Sequence, residues 1–164
     1  MHKKVLVLVP HPDDAEFYAG GTLAKWAAEG AQIQVVVATD GAKGSLIVPG
    51  SELAAMRRAE AGRASAVLGA NPPIFLDYPD FELDRLPPGE LRQAFMRCIR
   101  QLQPDAIVAQ DALTLDDAHP DHRAAAWAAL EAIQYSTLPL VYPQHIQEGL
   151  PAHFVLDKYY YSET

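Results

Sequence analysis

The chain has 164 residues, enough for a single domain with one sizeable core, and 49% of them are hydrophobic against 21% charged, the balance of an ordinary globular protein. A formal net charge of −8 argues against nucleic acid and anionic membrane surfaces as partners, since both need basic patches, and no apolar run approaches the ~20 residues that span a bilayer. Met1-His2-Lys3-Lys4 runs straight into a strand-like stretch without a small-residue cleavage site, and a single cysteine, Cys98, excludes an internal disulfide, so the expected compartment is the cytoplasm.

Val5–Pro10 (VLVLVP) is a short continuous apolar run rich in β-branched residues, the pattern of a strand buried on both faces of a parallel sheet. His11-Pro12-Asp13-Asp14 follows it, then a helical stretch to Glu29, with Leu23, Trp26 and Ala27 on one face and Gly30 as its stop. Gly20 and Gly21 inside this helix predict either close packing of helix on sheet or room for substrate or a neighbouring loop. Ile33–Ala38 is the second strand. After the glycine- and proline-punctuated loop Thr39–Gly50, Ser51–Leu68 reads as a helix capped by Ser51 and stopped by Gly69.

Ile74–Leu76 is a short third strand, and Asp77–Gly89 an irregular loop broken by Pro79, Pro87 and Pro88. Glu90–Leu102 carries Leu91, Phe95, Cys98, Ile99 and Leu102 on one stripe, which makes Cys98 a core thiol. Ala106–Ala109 is the fourth strand and Gln110–Ala118 a loop. His119-Pro120-Asp121-His122 opens an alanine-rich helix to about Tyr135, with Pro120 in its first turn. Thr137–Pro151 reads as a loop and Phe154–Tyr161 as a last strand. Strands alternating with helices predict a doubly wound α/β fold, spanning residues 1–164 as one domain.

Ligands of open α/β sheets bind beyond the carboxyl ends of the strands. The first strand ends at His11-Pro12-Asp13-Asp14, and the fourth ends a loop before His119-Pro120-Asp121-His122, so the two clusters should meet at one sheet edge. Part of the acid excess lies beside these histidines, in Asp13-Asp14 and Asp116-Asp117. A catalytic zinc takes three protein ligands and keeps a fourth position for water. His11, Asp14 and one histidine of the second cluster supply such a set, leaving one aspartate and one histidine over. A zinc hydrolase needs both: a carboxylate to accept the proton of water, and an imidazole to stabilise the oxyanion. Singly, Asp13, Asp14 or His119 reads as a helix cap and His122 as an ordinary helix histidine; four such residues converging on one edge favour the metal reading. Arg57 reads on its own as part of a solvated helix face paired with Glu60. His2, His145 and His153 lack an acidic cluster and read as surface or structural residues.

With these residues in place the sequence resembles the PIG-L/LmbE-like family of zinc-dependent sugar N-deacetylases. Three segments carry the resemblance: Pro10-His11-Pro12-Asp13-Asp14-Ala15-Glu16 with Gly20-Gly21-Thr22, Arg57-Arg58-Ala59-Glu60-Ala61 with Leu68-Gly69, and His119-Pro120-Asp121-His122. It implies a Rossmann-like, mostly parallel three-layer sheet and one zinc per chain on His11, Asp14 and His122. It implies Asp13 as general base, His119 as the imidazole that polarises the substrate carbonyl, Asp121 as the residue that orients His119, and Arg57 in contact with substrate. It implies an N-acetylglucosamine-containing small-molecule substrate and a homo-oligomer, trimer or hexamer. Chains of this family usually continue past the strand matching Phe154–Tyr161 with a further strand and helix, whereas this sequence stops at Thr164.

Two other classes compete. A non-haem iron(II) enzyme also uses two histidines and a carboxylate, but has no need of Asp13 and His119. A non-catalytic or truncated metal- or sugar-binding module has no use for a base beside the metal. A nucleotide-binding domain is disfavoured, because no G-x-G-x-x-G follows the first strand.

Overall fold

The computed structural model describes residues 2–114 and 116–162. Five strands form one sheet in the order β3-β2-β1-β4-β5, every pair parallel: β1 (Lys4–Val9), β2 (Gln32–Thr39), β3 (Ile74–Tyr78), β4 (Ala106–Gln110) and β5 (Asp157–Tyr161). The connections carry helices α1 (Asp14–Ala28), α2 (Gly50–Leu68), α3 (Glu90–Leu102), α4 (Pro120–Tyr135) and the short α5 (Pro143–Gln147). This is the doubly wound α/β architecture expected from the alternation of patterns.

The two-residue period of a strand explains why β1 is apolar throughout. Val5, Val7 and Val9 pack with Ala15, Ala19 and Leu23 of α1, while Leu6 and Leu8 pack on the other face with Phe95, Met96 and Ile99 of α3 and Ala125, Ala129 and Ile133 of α4. Both faces are covered, so no polar position is tolerated between Val5 and Val9. The predicted α3 stripe lies against this second face. Phe95 and Ile99 are fully buried, and truncating such a Phe to Ala costs about 3–5 kcal/mol. Cys98 sits in the same layer, and burial pushes its thiol up to about 11.

Several local expectations change. Ser51 does not cap α2. Pro49 delivers the chain in an extended conformation, Gly50 is already helical, and the Leu53 amide donates to the Pro49 carbonyl at 2.8 Å, so Ser51 falls inside the first turn. Gly20 faces α2 and not the sheet: a Cβ there would lie 3.8 Å from Leu68, and one at Gly21 would meet open space. The last strand begins at Asp157, not Phe154, because the His153 amide donates to Ser136 O at the end of α4 and holds the preceding residues away from β4. Inside the two expected loops, Leu83–Arg85 forms a tight helical turn and Pro143–Gln147 forms α5.

Candidate active site

Because β1 pairs directly with β4, the segments leaving their carboxyl ends become neighbours, and His11, Asp14, His119, Asp121 and His122 meet there. β1 and β2 stay joined up to the site: the Pro10 carbonyl accepts from the Thr39 amide at 3.0 Å and from Thr39 Oγ1 at 2.9 Å. Gly41 lies beside this junction at φ +66, where a Cβ would come within 2.9 Å of the Pro12 ring; both its left-handed backbone and this close approach require glycine.

Donor atoms of three residues face one another at the centre, with a different Asp14 oxygen turned to each imidazole. His11 Nδ1 and His122 Nε2 are 3.1 Å apart, His11 Nδ1 and Asp14 Oδ2 3.4 Å, and His122 Nε2 and Asp14 Oδ1 3.6 Å. Ligands around a tetrahedral zinc, each about 2.0–2.2 Å from it, lie about 3.3–3.6 Å from one another, so the donor set and its spacing fit such an ion. The outward nitrogen of each imidazole meets a carboxylate. His11 Nε2 lies 3.3 Å from Asp121 Oδ2 and 3.3 Å from Asp80 Oδ1, and His122 Nδ1 lies 2.7 Å from Asp117 Oδ2. Carboxylates in these positions fix the ring orientation of metal-binding histidines and raise their basicity.

Two further groups bring donors within 4.8 Å of one another: His11 with His119 and His122, and His11 with Asp80 and Asp121. Much of the capacity of the latter carboxylates is already taken. Asp121 accepts from the Phe81 amide at 2.7 Å and the Leu83 amide at 2.9 Å, and Asp80 accepts from the Lys43 amide at 2.7 Å.

The electrostatics follow from this crowding. Burial opposes a charge on His11, but Asp121, Asp14 and Asp80 outweigh it and raise its pKa to about 11, a negative potential that suits a divalent cation equally well. Burial would raise Asp80 and Asp121, yet both are held below the ordinary carboxylate range, by His11 first and then by the backbone amides they accept. Asp117 is likewise lowered against the effect of its burial, through the His119 amide, Gln110 and His122. His119 moves the other way: burial, then the positive charges of His11 and His122, lower its pKa.

His119 is the N-cap of α4, its Nδ1 accepting the Asp121 amide at 3.2 Å. An Nδ1 that accepts places the ring proton on Nε2, so the cap and a chemical role are compatible in one residue. The Asp121 carboxylate, expected to orient His119, is turned to His11; only the Asp121 backbone amide holds His119. Asp13 occupies the N-cap position of α1 without a side-chain capping bond. Its carboxylate pairs with Arg57 Nη2 at 2.5 Å, while Arg57 Nη1 lies 3.3 Å from Glu60, so Arg57 combines the expected surface pair with a place in the site. Asp14 does not cap α1 either; it accepts the His11 amide at 2.8 Å.

Asp13, Arg57, His119, Asp80, Lys43 and Phe81 border a cavity of about 550 Å³ at this edge. Asp80 was not foreseen: it is a lone aspartate in an irregular loop, with no spacing motif to mark it. Asp117 was visible only as half of an acidic pair near histidines. Gln110, the last residue of β4, donates to Asp117 and carried no signal at all.

Residues 6–133 match the PIG-L family, described as GlcNAc-PI de-N-acetylase. A diacetylchitobiose deacetylase from Thermococcus kodakarensis is 34% identical over 155 residues, 93% of this chain and 57% of that protein. Among solved structures, the N,N'-diacetylchitobiose deacetylase from Pyrococcus horikoshii superposes with a TM-score of 0.91 at 34% identity, covering 98% of this chain and 60% of that one. GalB, a 4-carboxy-2-hydroxymuconate hydratase from a Pseudomonas species, superposes with a TM-score of 0.71 at 26% identity, over 84% of this chain and 58% of its own. The chain thus spans about three fifths of the length of such relatives. With the sheet order, the two histidine-aspartate clusters and the family match over residues 6–133 in agreement, the chain belongs to the PIG-L family.

Proposed function

We propose that the chain is a zinc-dependent N-deacetylase acting on a small N-acetylglucosamine-type conjugate. The observation that carries this reading is the triangle of residues His11, Asp14 and His122, whose facing atoms lie 3.1–3.6 Å apart with a different Asp14 oxygen turned to each imidazole, each imidazole backed by a further carboxylate. These three residues would hold one zinc ion, which when bound polarises the acyl group and brings the pKa of its water to about 7.

Asp13 faces the cavity and is not a member of the triangle. Its carboxylate accepts the proton of the attacking water, and Arg57 fixes its position. The His119 Nε2–H donates to the acyl oxygen as negative charge grows there. The Asp121 amide on His119 Nδ1 leaves the ring proton on Nε2, which keeps the donor in place. Asp13 then returns the proton to the departing nitrogen, the C–N bond breaks, and acetate and a free amine leave. Asp121 and Asp80 hold His11 in orientation, and Asp117 holds His122. Residues 1–164 as one catalytic domain, a trimeric or hexameric assembly and a cytoplasmic location are part of the same proposal. Among the described residues no helix is long and apolar enough to cross a membrane.

The GalB likeness shows that a hydratase is built on this fold, so the product must be identified directly. The test is to incubate the zinc-loaded chain with N,N'-diacetylchitobiose and to measure free amine and acetate with and without a chelator. Equal release of both, abolished by the chelator and restored by zinc, supports the reading. Full zinc occupancy with no amine released from any N-acetylated sugar overturns it.

A further inference from the structure

The cavity walls limit the charge of the substrate. Besides His11, which is enclosed by Asp14, Asp80 and Asp121, two cationic side chains border it, and each already has a carboxylate. Arg57 is paired with Asp13 at 2.5 Å and with Glu60 at 3.3 Å, and Lys43 Nζ lies 2.6 Å from Glu82. Asp80 adds a further negative charge to the lining. An anionic group entering here meets cations that are already paired, and comes close to the carboxylates of Asp13, Glu60, Asp80 and Glu82 that border or pair with them. Like charges brought together across a binding surface are disfavoured.

Phe81 supplies the complementary apolar feature. It is half exposed although it lines the cavity, and its ring stands edge-on to His119 with centroids 5.0 Å apart. Its backbone lies at φ +63, a region a bulky side chain enters only when its surroundings hold it there. The holding contacts are visible: the Phe81 and Leu83 amides both donate to Asp121, and the Asp80 amide donates to Asp40 Oδ1. The ring is therefore presented to the cavity from a fixed backbone, beside the histidine assigned to the acyl oxygen.

We infer that the pocket selects an uncharged saccharide, with Phe81 as the wall that covers the C–H face of a sugar ring, and that it discriminates against conjugates whose second part carries carboxylate or phosphate. This rests on the N-deacetylase reading. A pyranose offers one face of C–H groups and a rim of hydroxyls, which matches an aromatic wall surrounded by paired polar groups.

The test compares a neutral probe, N,N'-diacetylchitobiose, with an anionic one, N-acetyl-α-D-glucosaminyl L-malate, on the zinc-loaded chain, by turnover and by calorimetric titration. The neutral probe should have a kcat/KM higher by at least about tenfold. Phe81→Ala should raise its KM about tenfold with kcat little changed, and Phe81→Tyr should restore it. Equal or better use of the malate conjugate, or an unchanged KM in Phe81→Ala, overturns the inference. If neither probe loses its acetyl group, the deacetylase reading falls separately, and the titration still decides: tighter binding of the neutral probe supports the selection of an uncharged saccharide, and equal or tighter binding of the anionic one overturns it.

Discussion

Two buried histidines, His122 and His145, sit in opposite electrostatic settings. His122, at the carboxyl edge of the sheet, has Asp117 on one ring nitrogen and His11 and Asp14 on the other. His145, on α5, is fully buried, and its Nδ1 lies 3.3 Å from Arg100 Nη1. Burial, then the charges of Arg97 and Arg100, lower its pKa, and its Nε2 has no hydrogen-bond partner among the described residues. Burial alone therefore does not mark a histidine as a ligand; the sign of the charges around it does. The His145 region is a device for ending helices. Arg100, itself fully buried, donates to the carbonyls of Ser136, Leu138 and Tyr142 and so gathers the chain after α4.

The largest separation of the two regions should come from removing each histidine. His122→Ala should lose stoichiometric zinc and with it all turnover, whereas His145→Ala should keep zinc and show only reduced stability; metal analysis and urea unfolding read both. Zinc loss from His145→Ala would break the comparison. Next in size is Asp13→Asn, which should keep zinc and lose about 10²–10⁴-fold in kcat. Loss of zinc instead would exchange the roles of Asp13 and Asp14.

His119→Ala should lower kcat and kcat/KM together by about 10²–10³-fold with zinc retained; a change confined to KM would reduce His119 to substrate binding, and no change would leave it only its capping bond. Asp117→Asn should weaken zinc by about 10–100-fold in chelator competition. Smallest on function is Arg100→Leu, which should leave zinc affinity intact. It removes one hydrogen bond from each of three carbonyls, which keep the amides of His153, Val141 and His145; at about 0.5–1.5 kcal/mol per bond, the total loss of stability should be about 2–4 kcal/mol.

Much of this contrast could be read from residue order. The continuous apolar run Val5–Val9 announced a strand covered on both faces, and the histidine-aspartate clusters followed the ends of strands that the topology made adjacent. The α3 stripe was legible because Leu91, Phe95, Cys98, Ile99 and Leu102 repeat at helical spacing. Asp80 was not, because it reaches His11 across about seventy residues from a loop with no periodicity. Asp121 lay inside a recognised motif, yet the partner of its carboxylate is set by where the Asp77–Gly89 loop folds, bringing the Phe81 and Leu83 amides to it. His145 and Arg100 become buried only when α5 closes on α3, and no local pattern announces that contact. Ser51 misled because a proline ahead of a helix can set the start one residue earlier than the nearest hydroxyl cap.

On this reading a single ion sits between β1 and α4 on His11 Nδ1, Asp14 and His122 Nε2. A crystal structure of the zinc-loaded chain with anomalous scattering at the zinc edge tests it directly. One peak should lie about 2.0–2.2 Å from those three side chains, with His11 Nε2 still on Asp121 and His119 free of the metal. A peak between His11 Nε2, Asp80 and Asp121, or one with His119 as a ligand in place of Asp14, would contradict it.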